Sequence, residues 1–238
     1  MVTDHADLAT MAARLVGERG DSQLVSLTRE ELAGVGDDPV LGHAADTVWW
    51  DGLTAREQAL VLETAQRGLV ARNLLVPDGG SELVVVDEVR VVLAARRAPS
   101  RVLVLTDPAV RSSVGSGLQL VLLGLPVDAG APPAYVVSVR VEGVYLHRLV
   151  VAELAPDVAV DWLLRPPDEA SPDDEVDVGR TVEVLQVDDA DHDVVRRRAV
   201  LVGRGGAWAL SEISDGAPGE ASPVDATVLR AWLVDRLG

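Results

Sequence analysis

Between residues 101 and 153 the chain carries four runs rich in Val and Leu, at 101–106, 118–125, 134–141 and 144–153. Branched Cβ atoms pack well on a pleated surface, so these runs favour strands. The gaps between them are too short for a crossover helix, which parallel pairing requires. The four strands are therefore expected to pair antiparallel, as a meander. Glu142-Gly143 is a tight-turn signal between the last two. Alternation over residues 135–141 predicts one buried face and one wetter face.

Helical patterns precede this block. Leu8, Met11, Ala12, Leu15 and Val16 recur at helical spacing over residues 4–17, with Gly17 placed to stop the helix. Asp21-Ser22 reads as a turn and residues 23–27 as a short strand. Thr28 stands three residues before Glu31, and Thr54 three before Glu57, so each threonine can cap a helix whose glutamate reaches back. The second of these helices carries Leu60, Val61 and Ala65, with Gly68 as its expected terminator. Pro77-Asp78-Gly79-Gly80 is a turn, and Val89, Val92 and Leu93 place a helix over 86–97.

After the meander, residues 166–178 form an acidic, Pro-rich linker with little to bury. Strands are expected at 181–187 and 197–202, joined by a turn at 188–193. Gly203-Arg204-Gly205-Gly206 makes a further turn. A closing helix over 223–237 has Val228, Leu229, Trp232, Leu233 and Leu237 as its apolar stripe. Helices segregated beside antiparallel sheet make an α+β class, with the helices packed to one side. The expected organisation is an N-terminal half (1–165), the linker (166–178), and a C-terminal half (179–238) sharing one core with the first.

Composition narrows the function. All 21 basic residues are Arg, and the formal charge is −17. That balance opposes binding to a phosphate backbone or to anionic lipid, where cations must replace counterions. A winged-helix-like adaptor would need a basic face; Arg90, Arg96, Arg97 and Arg101 do cluster in sequence, but the chain as a whole is strongly acidic. The absence of Lys, with abundant Ala, Val, Gly and Asp, has the look of a high-GC bacterial genome. It also removes Walker A and Schiff-base chemistry. There is no Cys, which excludes disulfides, thiolate metal sites and thiol catalysis. Residues 1–7 lack the basic and apolar regions of a signal peptide, and no apolar run reaches spanning length. A soluble, cytoplasmic protein is expected. With five Trp, two Tyr and no Phe, the core must consist of Val, Leu and Ala, with Trp as its few large pieces.

The motifs that invite chemistry have simpler readings. His5, His43, His147 and His192 are scattered, with no metal-binding spacing. His147 sits on a strand, where a satisfied hydrogen bond is the expected arrangement. The run Asp188-Asp189-Ala190-Asp191-His192-Asp193 has neither the glycine nor the terminal glutamate of a calcium loop. Gly203 to Gly206 lead into a strand rather than a phosphate-binding helix, and Gly115-Ser116-Gly117 lacks the spacing of a nucleophile elbow. No catalytic residue, cofactor or metal ligand is therefore assigned. An enzyme remains an alternative, requiring a pocket with convergent polar groups. Adjacent Trp49 and Trp50 are expected to plug the core, or otherwise to line a partner groove.

The order of elements resembles the EspG-type secretion chaperones. Leu24 through Leu32, followed by Pro39-Val40-Leu41, are similar to the strand, short helix and Pro-x-Leu opening of that family. Glu57 to Leu60, Arg67-Gly68-Leu69 and the segment from Leu83 to Pro99 resemble its helix, glycine turn and second helix. Val182 to Asp189, Arg196 to Trp208 and the terminal helix after Pro223 resemble its C-terminal half. The resemblance implies two pseudo-symmetric α+β halves around a central sheet. It also implies a cytosolic partner of actinobacterial type VII secretion, which binds the helical tip of PE–PPE-type substrates before export, without a cofactor. Under this resemblance the partner surface includes the loop from Asp107 to Gly117, with polar contacts from Arg111, Ser112 and Ser113.

Overall fold

The four central runs do form a meander: β4 (Arg101–Asp107), β5 (Leu118–Gly124), β6 (Ala134–Val141) and β7 (Val144–Val151), each antiparallel to the next. A computed structural model describes residues 5–36, 44–80, 82–107, 118–128, 130–141, 143–165, 178–187, 194–204 and 206–237. The meander is extended at both ends into one ten-stranded antiparallel sheet. β1 (Asp21–Thr28) lines up beside β7. On the far side β8 (Val178–Val187) joins β4 and is followed by β9 (Val194–Arg204) and β10 (Ala207–Ser214). Two short strands, β11 (Ala217–Pro218) and β12 (Ser222–Val224), both pair with β10. A separate ribbon of β2 (Leu75–Pro77) and β3 (Leu83–Val85) turns at the expected Pro77–Gly80 site.

Seven helices are present among the described residues, and the chain is α+β. α1 (His5–Val16) and α5 (Asp87–Arg97) cover one face of the sheet with Leu8, Met11, Val89, Val92 and Leu93 against Val25, Leu27, Val136 and Leu149. α6 (Ala155–Leu163) and α7 (Ala226–Leu237) cover the other with Ala159, Leu163, Leu229 and Leu233 against Leu103, Leu105, Val182, Val184 and Leu201. Neighbours such as Val102 and Leu103 enter different cores because successive side chains on a strand point oppositely. The helices thus gather to one side at each end of the sheet, and the two sides meet back to back across β4, β5 and β6.

That overlap corrects one expectation. The first five residues of β6 are all buried, so it has no wetter face there. Alternation marks a half-covered strand only when one face meets water. Other corrections are local. β1 begins at Asp21, and the turn before it is made by Gly20 at φ 73°. β8 runs longer than expected at its start and β9 at both ends. α6 was not anticipated: its 155–163 segment is apolar nearly all round, with Pro156 in its first turn. α7 buries Leu229, Leu233 and Leu237, whereas Val228 is half exposed and Trp232 donates from Nε1 to Glu212 Oε1 at 2.7 Å. The largest wholly buried side chains are Arg180 and leucines rather than Trp. The 166–177 part of the linker and the 188–193 turn lie outside the described residues, as does Glu142.

The open edge at β1 is blunted. Its register shifts between Gln23 and Ser26, and Arg72 Nη2 donates to Ser26 O at 2.7 Å. A bulge and a capped carbonyl both discourage pairing with another chain.

Candidate partner-binding surface

Two arrangements gather unusual chemistry. The first is built on α2 (Arg29–Gly34), α3 (Ala44–Asp51) and α4 (Ala55–Ala71). Both expected capping boxes are formed. Thr28 accepts from Glu31 N and Glu31 reaches back to Thr28 N, and Thr54 and Glu57 do the same. Glu31 has a further role: its two carboxylate oxygens each accept from Arg72 Nη1 at 2.7 Å, which ties the end of α4 to β1 and α2. Gly68 does not end α4. The helix runs through it to Ala71, and Asn73 at φ 57° makes the left-handed stop. Closeness of α2 and α4 depends instead on Gly34, where an added Cβ would sit 2.9 Å from Ala65 Cβ.

Between α2 and α4 lies a groove of about 370 Å³ lined by Thr28, Glu30, Leu60, Val61, Thr64 and Gly68. α4 buries only Ala65 and Leu69, and Leu60 is 62% exposed. Trp49 and Trp50 do not plug the core. Both are half-buried, their rings 5.8 Å apart, with the Arg29 guanidinium 4.1 Å over Trp49. Gln58 Nε2 donates to Trp50 O at 3.0 Å, which joins α3 to α4. The core reading failed because a Trp pair on one short helix faces two directions, and little packs against that helix.

The second arrangement surrounds Arg180 on β8, 1% exposed. Its Nε donates to Asp107 Oδ2 at 2.9 Å. Its Nη1 and Nη2 donate to the carbonyls of Trp162, Leu163 and Arg165, where α6 ends. The guanidinium also lies between the rings of Trp162 (5.7 Å) and Trp208 (5.4 Å). One cation thereby satisfies open carbonyls at a helix C-terminus and a buried carboxylate together. Trp208 reaches this position because Gly203, opposite it on β9, has no side chain; a Cβ there would lie 2.6 Å from the Trp208 ring. The sequence holds no motif that singles out Arg180. The only cue is a basic residue at the start of a Val-rich strand.

Asp107 and Leu118 are paired, so the roots of the expected contact loop lie side by side and one is anchored by Arg180. Arg111, Ser112 and Ser113 themselves lie outside the described residues. The four clustered arginines do not compose a basic face. Arg90 pairs with Asp87 at 3.3 Å, Arg97 donates to Gly36 O, Arg101 donates to Arg236 O, and Arg96 is buried over Tyr145.

His147 overturns another expectation. It is 1% exposed, and neither ring nitrogen has a hydrogen-bond partner among the described residues. It stacks on Tyr145 at 6.1 Å. Burial, with the Arg96 charge adding to it, pushes its pKa down to about 3, so it packs as a neutral ring. His5 is exposed, 3.4 Å from Asp128; His43 and His192 lie outside the described residues. Among the described residues no group of three or more His, Asp or Glu could hold a metal. No described helix is long and apolar enough to cross a membrane.

No family model matches the chain, and no curated protein sequence does. Among solved structures, the Mycobacterium tuberculosis type VII secretion system chaperone EspG5, in complex with a PE25–PPE41 dimer, is similar with a TM-score of 0.51. The match covers 91% of this chain and 95% of that one at 10% identity. At that identity the likeness establishes a common fold: the chain is an α+β protein built on the architecture of that secretion chaperone.

Proposed function

We propose that this chain is a protein-binding chaperone or adaptor that holds a helical, PE–PPE-like substrate in the cytoplasm before its export by a type VII secretion system. It acts by binding, without a covalent step or cofactor. The observation that supports this most is the fold match across nearly the whole of both chains, with a protein captured in complex with PE25–PPE41. The exposed Leu60 and the half-buried Trp pair beside the α2–α4 groove add support, since a helix-in-groove partner needs an apolar strip with an aromatic anchor. The 107–117 loop is the second proposed contact, through Arg111, Ser112 and Ser113.

The test is affinity capture of the tagged chain from its native cytosol with mass spectrometry, followed by co-expression with the recovered protein. A helix-rich secreted protein, stoichiometric through gel filtration, is the expected result. Recovery of nucleic acid alone, or of nothing, would overturn the reading. With a complex in hand, Trp49→Ala with Trp50→Ala, and separately the triple alanine variant of Arg111, Ser112 and Ser113, decide which contact holds the client. A variant that binds as tightly as the parent removes its site from the proposal.

A further inference from the structure

On the side of the sheet that α1 and α5 cover at its β1 end, the β9–β10 region past Leu185 is covered by no described helix. Along β8, β9 and β10 the side chains facing α6 and α7 are Val182, Val184, Ala199, Leu201 and Leu210, all buried in the second core. The alternate positions point the other way. On β9 and β10 these are Arg196, Arg198, Val200, Val202, Arg204, Ala209, Ser211 and Ile213; none belongs to either core, and Ser211, opposite Val200, is buried and donates to Gly219 O at 2.8 Å. Val202 is 45% exposed.

The charge on this face runs against that of the molecule. In a chain of formal charge −17, two arginines stand side by side here with their side chains 54% and 48% exposed. They share one carboxylate, Glu183, which accepts from both Arg196 Nε and Arg198 Nε. Burial alone would raise the Glu183 carboxyl, but the two arginine hydrogen bonds and charges outweigh it and hold the pKa below its ordinary value. The face therefore carries a cationic excess next to an apolar strip of Val200, Val202 and Ile213.

We propose that this face of β8, β9 and β10 is a docking surface for an amphipathic helix of another protein, whose apolar stripe is flanked by Asp and Glu. The acidic flank follows from charge complementarity to Arg196 and Arg198. A helix is favoured over a strand because β8 and β9 are hydrogen-bonded on both sides, so this face offers side chains and no free backbone. The surface is distinct from the α2–α4 groove and the 107–117 loop, so it stands or falls independently of the chaperone reading.

The test uses two synthetic helical peptides of about 18 residues, roughly five turns. Both carry the same Leu/Ala stripe, flanked by Glu in one and by Arg in the other. Each is titrated into the isotopically labelled full chain and followed by amide chemical shifts. The Glu peptide is expected to shift Thr181, Val200, Val202 and Ile213 in a saturable way, to weaken as salt rises, and to bind more tightly than the Arg peptide. R196Q with R198Q should weaken it about tenfold. V202T, which keeps both charges, should weaken it by a smaller factor. Equal binding of the two peptides, shifts confined to other faces, or unchanged affinity in R196Q/R198Q would overturn the proposal. So would concentration-dependent line broadening of these amides in the protein alone, which would assign the face to a second copy of the chain.

Discussion

The two ends of the sheet hold their helices by different means. At the β8 end, Arg180 is wholly buried and joins the end of α6, the end of β4 and two Trp rings. At the β1 end, Glu31 is buried but its partner Arg72 is 42% exposed, and the helix it secures, α4, buries two residues. A charge taken fully out of water must have every partner in place, so the first clamp locks its surroundings. A half-exposed pair is screened and contributes little, so the second leaves α4 free to adapt. The β8 end is thus fixed by a buried charge, and the β1 end leaves a helical groove exposed.

The largest break in this contrast is expected from Arg180→Ala. It strips the guanidinium from the buried Asp107 carboxylate and from three helix-end carbonyls, at a cost of about 3–5 kcal/mol. Urea unfolding should show the loss, and Arg180→Lys should not restore it, since one ammonium cannot reach four acceptors. A fall below about 1 kcal/mol would remove the locking role.

His147 sharpens the comparison through pH. Its folded pKa, about 3, lies below the ordinary 6.5. Between those values the unfolded chain takes up a proton that the folded chain refuses. The stability from the neutral ring is therefore complete above pH 6.5 and drains away as pH falls toward 3. The shift corresponds to roughly 5 kcal/mol. His147→Phe should flatten this part of the stability profile; parallel profiles for the two proteins would refute it.

Gly203→Ala comes next. Its methyl group displaces the Trp208 ring from Arg180, with an expected loss of about 1–3 kcal/mol and a change in Trp emission. Glu31→Gln is expected to cost about 1 kcal/mol or less. Its effect should appear as faster amide exchange across α4 while the sheet stays protected. Equal loss of protection in both regions would show that the two ends are not held differently.

Much of this was legible in the chain. The four-strand meander, both capping boxes and α1, α5 and α7 follow from spacing alone, because period and local caps are properties of neighbouring residues. The candidate surface was only partly legible. The Trp pair was singled out but placed in the core, since sequence does not tell how much packs against a short helix. Gly68 read as a stop because glycine ends helices when nothing else holds them. Here Leu69 is wholly buried, and α4 continues to Ala71, with the left-handed stop at Asn73.

By itself, then, the sequence determined the strand and helix segments, the antiparallel pairing, and the exclusion of thiol and lysine chemistry. Those depend on side-chain shape, local spacing and residue inventory. Only the tertiary structure decided that β6 is buried on both faces, that Arg180 is the keystone of one core, and that Arg196 and Arg198 stand on an uncovered face. Each of these depends on which distant segments meet, and burial, charge pairing and exposure are set by that meeting rather than by the residue itself.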